Sequence, residues 1–306
     1  MKQFNNEIER VNLFDRVNVT ENFSLDTESD VLFSGGAAWA PSAIPGFEVF
    51  AGYAENYKAI ADPVLEVFTV DPDGSANVPD PETSENIEVG VRYTADRLRG
   101  SVVYFDTSFE NRLLQIANQD VNGVDYLEAS NGGFVNGGGI ESSGFEVAGE
   151  YLATDWLSLY ASYTNVDAVI LGSGDILQDA ATGITVLDDD GNIVSTIVGN
   201  TVPGIAENMY VLSADVTDGN FYGGLSVKYV DDRFVDNGNT WTADSYYDAD
   251  LYIGASGEII SSDLTNVDFR LTVNNLFDED WISGISGGGA WISAPRTVVF
   301  TTTVDF

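Results

Sequence analysis

Apolar and polar residues alternate with period two over most of this chain. Near its end Val267, Phe269, Leu271 and Val273 fall on one side of an extended segment, against Asp268, Arg270, Thr272 and Asn274. Val298, Phe300, Thr302, Val304 and Phe306 oppose Thr297, Thr301, Thr303 and Asp305 in the same way. Successive side chains of a strand point to opposite sides, so each segment reads as a strand with one apolar and one polar face. Taken in order, the chain offers about twelve such strands. Val11 to Ser24 is the weakest, because Asn18, Thr20 and Asn22 spoil its alternation. Val31 to Ala40 and Phe47 to Tyr57 follow, then Ile87 to Tyr93. The next segment reads with Val103, Phe105, Thr107 and Phe109 as its apolar face, opposite Tyr104 and Asp106. Segments at 145–151, 157–163, 210–216, 221–229 and 247–253 lead to the closing pair.

Two regularities organise these strands. Their apolar faces are almost free of charge, while the opposite faces collect Glu48, Glu88, Arg92, Asp106, Glu146, Glu150, Lys228, Asp248, Asp250 and Arg270. The connections alternate in length: short after Ala40, Thr94 and Glu150, long after Tyr57, Leu113 and Thr164. Tight periplasmic turns and long extracellular loops are the signature of a transmembrane antiparallel β-barrel with an up-and-down meander. The expected fold is therefore all-β, with Leu159, Leu225 and Leu251 toward lipid and Ser158, Ser226 and Asp250 on the other side. No run of 18 apolar residues exists, so a transmembrane helix is excluded. Met1-Lys2-Gln3-Phe4-Asn5-Asn6-Glu7 lacks the apolar core of a secretion signal.

Several motifs sharpen this reading. Asn274-Asn275-Leu276-Phe277-Asp278 is followed by a glycine-rich stretch ending in Pro295-Arg296 and by a last strand closing on Phe306. Asn56-Tyr57-Lys58-Ala59-Ile60, Pro81-Glu82-Thr83-Ser84 through Gly90, and Gly144-Phe145-Glu146-Val147 with Asp155-Trp156-Leu157 add three more in order. Together they resemble the C-terminal strands of TonB-dependent outer-membrane receptors. Ile60 stands where that pattern has proline, and Ile87 where it has an aromatic residue. The resemblance implies a barrel of 22 strands around a plug. The whole of 1–306 is then expected to be the C-terminal part of such a barrel, open or incompletely closed by itself, with plug domain and signal peptide lying outside it.

Composition permits this and removes alternatives. The chain has 306 residues, with 12 basic against 49 acidic side chains and a formal charge of −37. Nothing in that balance neutralises phosphates, which excludes nucleic acid as a partner. Zero cysteine removes disulfides and thiolate metal sites. Zero histidine removes the commonest general base, and with it the Ser-His chemistry of a twelve-stranded outer-membrane phospholipase. No enzyme activity, catalytic residue, cofactor or resident metal is expected. Asp188-Asp189-Asp190-Gly191-Asn192 lacks the bidentate glutamate of a calcium loop and reads as a solvated turn. Glu146 and Glu150 read as wetted lumen residues.

The resemblance implies energised uptake of a scarce solute across the bacterial outer membrane, a ferric siderophore or ferric citrate first, a glycan or cobalamin otherwise. A passive porin-like channel is the competing reading. The partners implied are the TonB complex, engaged through a region N-terminal to this chain, the barrel-assembly machinery, outer-membrane lipid and the ferric chelate. Trp241, Trp281 and Trp291 lie in expected extracellular loops and are the candidate solute contacts. Trp39 and Trp156, near strand ends, read as membrane-interface anchors. Arg296 is expected to pair with lumen carboxylates. Phe306, with Val304 and Phe300, is the expected assembly signal.

Overall fold

The computed structural model describes residues 31–58, 80–116, 133–136, 138–172, 198–286 and 289–305. It adds short strand pairs at 10–11/18–19, 69–70/76–77 and 120–121/124–125. Eleven strands form one sheet: β1 (Ser34–Trp39), β2 (Phe47–Lys58), β3 (Glu82–Thr94), β4 (Leu98–Glu110), β5 (Gly139–Leu152) and β6 (Leu157–Leu171). They continue as β7 (Asn208–Asp218), β8 (Phe221–Val230), β9 (Tyr246–Ser256), β10 (Val267–Asn274) and β11 (Thr297–Val304). Each pairs antiparallel with its sequence neighbour, and among the described residues β1 and β11 are the free edges of an open meander. The expected strand from Val11 to Ser24 falls mostly outside the described residues. Within it, Asn18–Val19 pairs with Arg10–Val11, apart from the main sheet.

The register joins the apolar positions into continuous rows. Leu159, Ala214, Leu225, Leu251, Val273 and Val298 are successive partners across β6 to β11. One step toward the short turns, Leu157, Val216, Gly223, Ile253, Leu271 and Phe300 form a second row. These uncharged rows expose Val298, Ile253 and Phe300 instead of enclosing them, as a wall facing hydrocarbon requires. Tyr163, Tyr210, Tyr229 and Tyr247 form a row of direct partners at the long-loop end, with Tyr210 and Tyr229 stacked at 4.7 Å. Trp39, Tyr93, Trp156 and Phe221 lie exposed at the short-turn end. From Phe221 to Tyr229 is about 27 Å along the strand at ~3.4 Å per residue. At the ~40° tilt of such barrels that covers about 20 Å of depth, near the height of a lipid-facing band.

β4 corrects the sequence reading. Val102 partners Val91 and Val147, and Tyr104 partners Val89 and Phe145, so these two belong to the lipid-facing rows. Val103 and Phe105 sit with Glu146 and Glu88 on the opposite side. Both faces of β4 carry large apolar residues, so its own pattern favours the longer run. Only its neighbours decide. Asp106 accordingly lies on the lipid side, opposite Ile87 and Ser143 toward the long-loop end.

The opposite face is polar and laced by side-chain bonds, although Asp248 Oδ1 is buried there without a hydrogen-bond partner. The Tyr252 hydroxyl donates to Asp215 Oδ1 at 2.6 Å and the Tyr222 hydroxyl to Asp268 Oδ1 at 2.6 Å. The Arg270 guanidinium lies 4.1 Å from the Tyr252 ring centre. The Tyr222 ring crosses Gly254, where any Cβ would collide with it. Two strands run past their alternation. β5 and β6 stay paired up to Gly139 and Leu171, where Ala168 and Ile170 are almost completely enclosed. Burial there falls on the face that is polar lower in the strand, with Asp167 exposed on the other, so the alternation inverts and the sequence reads 166–171 as loop.

Candidate functional site

The long connections gather at one end of the sheet, and residues 198–207 with the connections after β8 and β10 build a folded cap there. Its core is Ala168, Ile170, Ala206, Val230, Val235 and Ala243, all buried. Side-chain amides then tie the loops together. Asn239, at φ 55°, donates from Nδ2 to the Thr201 carbonyl at 2.9 Å. Its Oδ1 accepts the Thr201 N–H at 2.8 Å. That reciprocal pair imitates one rung of a sheet between loops that are far apart in sequence. Asn200 adds a bond from Nδ2 to the Asn237 carbonyl at 2.9 Å.

A second cluster links this cap to the last loop. Arg233 is buried, its guanidinium 5.5 Å from the Tyr246 ring centre and bonded to the Ile282 carbonyl. Trp281 stacks on the other partner of that cluster, Tyr246, at 4.9 Å and 8°. Asn275, buried and at φ 51°, is the hub of the last loop. Its backbone N–H donates to Asp250 Oδ1 at 3.0 Å, and its side chain donates to the Glu279 carbonyl at 2.8 Å and the Ala294 carbonyl at 3.1 Å. Asp278 Oδ1 accepts the Arg296 N–H at 2.9 Å, and its carboxylate lies 3.4 Å from the guanidinium.

The sequence motifs thus meet in pairs. Asn275 and Asp278 close the loop whose far end is Arg296, and Lys58 reaches Glu82 at 2.5 Å across β2 and β3. Arg296 therefore pairs with a loop carboxylate, not with one on the barrel wall.

The three candidate tryptophans are not equivalent. Trp281 spends one ring face on Tyr246. Trp241 and Trp291 are 50% and 57% exposed. Ile282–Ser286 pairs with Gly289–Ile292 to carry Trp291, and the Val235 N–H bonds the Trp241 carbonyl at 2.8 Å. Phe300 and Val304 lie exposed on the edge strand β11, with Phe300 stacked 6.2 Å from Phe269. Phe306 and residues 188–192 lie outside the described residues. Glu146 and Glu150 share a face but sit four residues apart on β5, about 13 Å at ~3.3 Å per residue. They form no acid–base pair, and Glu150 instead accepts from Ser158 at 3.3 Å and lies 3.8 Å from Arg99.

Two loop carboxylates are held in their charged form. At Asp231 the hydrogen bond from Asn208 outweighs burial and, with the Tyr229 hydroxyl, keeps the pKa below its ordinary value. At Asp236 burial pushes upward, but bonds from Thr240 and from the Trp241 N–H at 3.3 Å win, and the pKa is lowered. Arg233, Asn239 and Asn275 escaped the sequence reading. The signals available were an asparagine inside the turn at 236–239 and the second asparagine of the N-N-L-F-D motif.

A family model described as TonB dependent receptor-like, beta-barrel matches residues 8–276. The chain belongs to that family. Barrels of TonB-dependent receptors are outer-membrane proteins of Gram-negative bacteria, and the family is one of receptors and transporters, not of enzymes. No curated protein matches the sequence. Among solved structures, the siderophore receptor PiuA from Acinetobacter baumannii is similar over 94% of this chain, with 19% identity and a TM-score of 0.67. The ferric yersiniabactin uptake receptor FyuA from Yersinia pestis gives 94% coverage, 18% identity and 0.64. The unliganded ferric citrate transporter FecA gives 90%, 19% and 0.64. The chain spans 38%, 40% and 38% of those three proteins.

Proposed function

We propose that this chain forms one part of the barrel wall of a TonB-energised receptor that imports a ferric chelate across the outer membrane. The observation that carries this is the open meander itself. Among the described residues, eleven strands follow the receptor fold in unbroken order and leave both edges, β1 and β11, without partners. Unpaired backbone groups in hydrocarbon cost several kcal/mol each, of order. Further strands of the same barrel pairing with both edges would remove that cost. The iron reading is supported by the names of the similar structures, which are a siderophore receptor, a ferric yersiniabactin receptor and a ferric citrate transporter. The test is uptake of radioiron chelates by cells expressing the receptor that carries this chain. Uptake abolished by removing TonB fits the proposal; uptake unaffected by that removal returns the passive channel.

Assembly partners belong to the same proposal. Phe306, with Val304 and Phe300, is the signal read by the barrel-assembly machinery, and outer-membrane lipid covers the apolar rows. A single phenylalanine buries only about 1.5–3 kcal/mol of side chain. Deleting Phe306 is expected to cut outer-membrane abundance while the denaturant midpoint of assembled molecules stays put. Equal losses in both would make it an ordinary packing residue.

A further inference from the structure

We infer that Asp250 is a positioning residue: from the inner wall it anchors the last loop, and so sets where Trp281 and Trp291 meet a solute. This rests on the uptake reading above and names the group that places the contact surface within it.

The ladder between β9 and β10 is regular up to Leu251 and Val273 and then stops. Asn275 turns the chain at φ 51°, in the left-handed region that asparagine tolerates better than most residues. The next N–H, that of Leu276, returns to the Ala249 carbonyl at 2.7 Å. At the turn itself the Asn275 N–H has a side chain for its partner, Asp250 Oδ1 at 3.0 Å. Asp250 thus stands in for a rung of the sheet, and a charged acceptor holds an N–H more strongly than a neutral one. Asp250 is half-buried and is the direct partner of Ser226, so it belongs to the inner wall and not to the loop it holds.

From Asn275 the bonds run outward step by step. Its side chain accepts the Glu279 N–H at 2.9 Å and donates to the Glu279 and Ala294 carbonyls, which joins the two stems of the loop. Next along the stems, the Ser293 N–H bonds the Trp281 carbonyl at 2.8 Å and the Trp281 N–H bonds Ser293 Oγ at 3.2 Å. Ile282–Ser286 and Gly289–Ile292 continue from that pair, with Gly284 opposite the exposed Trp291. The Trp281 ring meanwhile rests on Tyr246, which lies on the same strand as Asp250. One strand, β9, therefore fixes both tryptophans, with Tyr246 beneath one ring and Asp250 at the root of the loop.

The experiment uses outer membranes and cells with the receptor that carries this chain, as Asp250→Ala, Asp250→Asn and Asp215→Ala. The last is a control, since Asp215 lies on the same wall but is bonded to Tyr252. Amide exchange is read at Trp281 and Ser293. TonB-dependent radioiron uptake is read as KM and maximal rate, with ferric citrate and with an uncharged iron(III) trihydroxamate. Asp250→Ala should exchange on the order of tenfold faster at both amides and raise KM by a similar factor, at unchanged membrane abundance and maximal rate. Asp250→Asn keeps an acceptor oxygen and should restore both, while Asp215→Ala should change neither. Unchanged exchange in Asp250→Ala overturns the inference. So does faster exchange with KM unmoved, or a loss of uptake that only follows membrane abundance. If neither chelate enters cells with the unaltered receptor, or enters without TonB, the uptake reading falls. Exchange that loosens in Asp250→Ala and recovers in Asp250→Asn would still uphold Asp250 as the anchor of the loop.

Discussion

In the membrane-facing rows, Leu212, Ile253 and Phe300 lie more than half exposed, whereas Ile170 and Val230 in the cap are almost wholly enclosed. Ile170 and Val230 lie on strands that also build the wall, so the difference comes from what surrounds them. On the function proposed above, lipid replaces a protein core around the wall and the backbone ladder does the holding, because every N–H and C=O must be paired inside hydrocarbon. Around the cap there is water, which drives apolar side chains inward and leaves loop amides to be satisfied by side chains such as Asn239. One chain thus follows two opposite rules for where large apolar residues go, and the border is the row of Tyr163, Tyr210, Tyr229 and Tyr247.

That contrast can be broken from either side. Ile170 is 1% exposed, and Ile170→Ala should cost about 2–5 kcal/mol of cap stability. Hydrogen exchange should show faster opening at 198–207 with the wall unaffected; unchanged protection there would mean the cap has no cooperative core. Leu225→Arg, in the lipid-facing rows, should cost about 2–4 kcal/mol near the midplane. Its neighbour Ser226→Arg should be mild, and equal losses in denaturant titrations of the two would erase the distinction between faces. Asp250, on the same face as Ser226, should tolerate arginine less well, because it accepts the Asn275 N–H.

A smaller effect is expected at the clasp. Asn239→Ala strands the Thr201 N–H and carbonyl and should cost about 1–3 kcal/mol. The loss should appear as faster exchange at Thr201 with no fall in the global midpoint. A fall in the global midpoint would mean that cap and wall unfold together.

Much of the wall was legible in the sequence because period-two alternation and lipid exposure ask for the same pattern. Leu159, Leu225 and Leu251 were placed from the chain alone, and the register makes them successive or near partners. β4 was misread because Val103 and Phe105 face inward beside Val102 and Tyr104, and a strand apolar on both sides carries no directional signal. The cap was illegible for a different reason. Its contacts join residues such as Thr201 with Asn239 and Arg233 with Ile282, and nothing local marks a long-range amide or stacking partner. Trp281 looked like Trp241 and Trp291 in sequence, and only the Tyr246 ring beneath it sets it apart.

β4 is also where the account is most exposed to test, because there the sequence pattern and the neighbouring register disagree. The chain has no native cysteine, so each introduced thiol reports alone. Single cysteines at 101 through 106, in the receptor embedded in native outer membranes, are labelled with a membrane-soluble and then a water-soluble thiol reagent. The account predicts that 102 and 104 react with the membrane-soluble reagent, while 101, 103 and 105 react with the water-soluble one. The reverse phase, or no alternation at all, would contradict a two-faced wall set by cross-strand register.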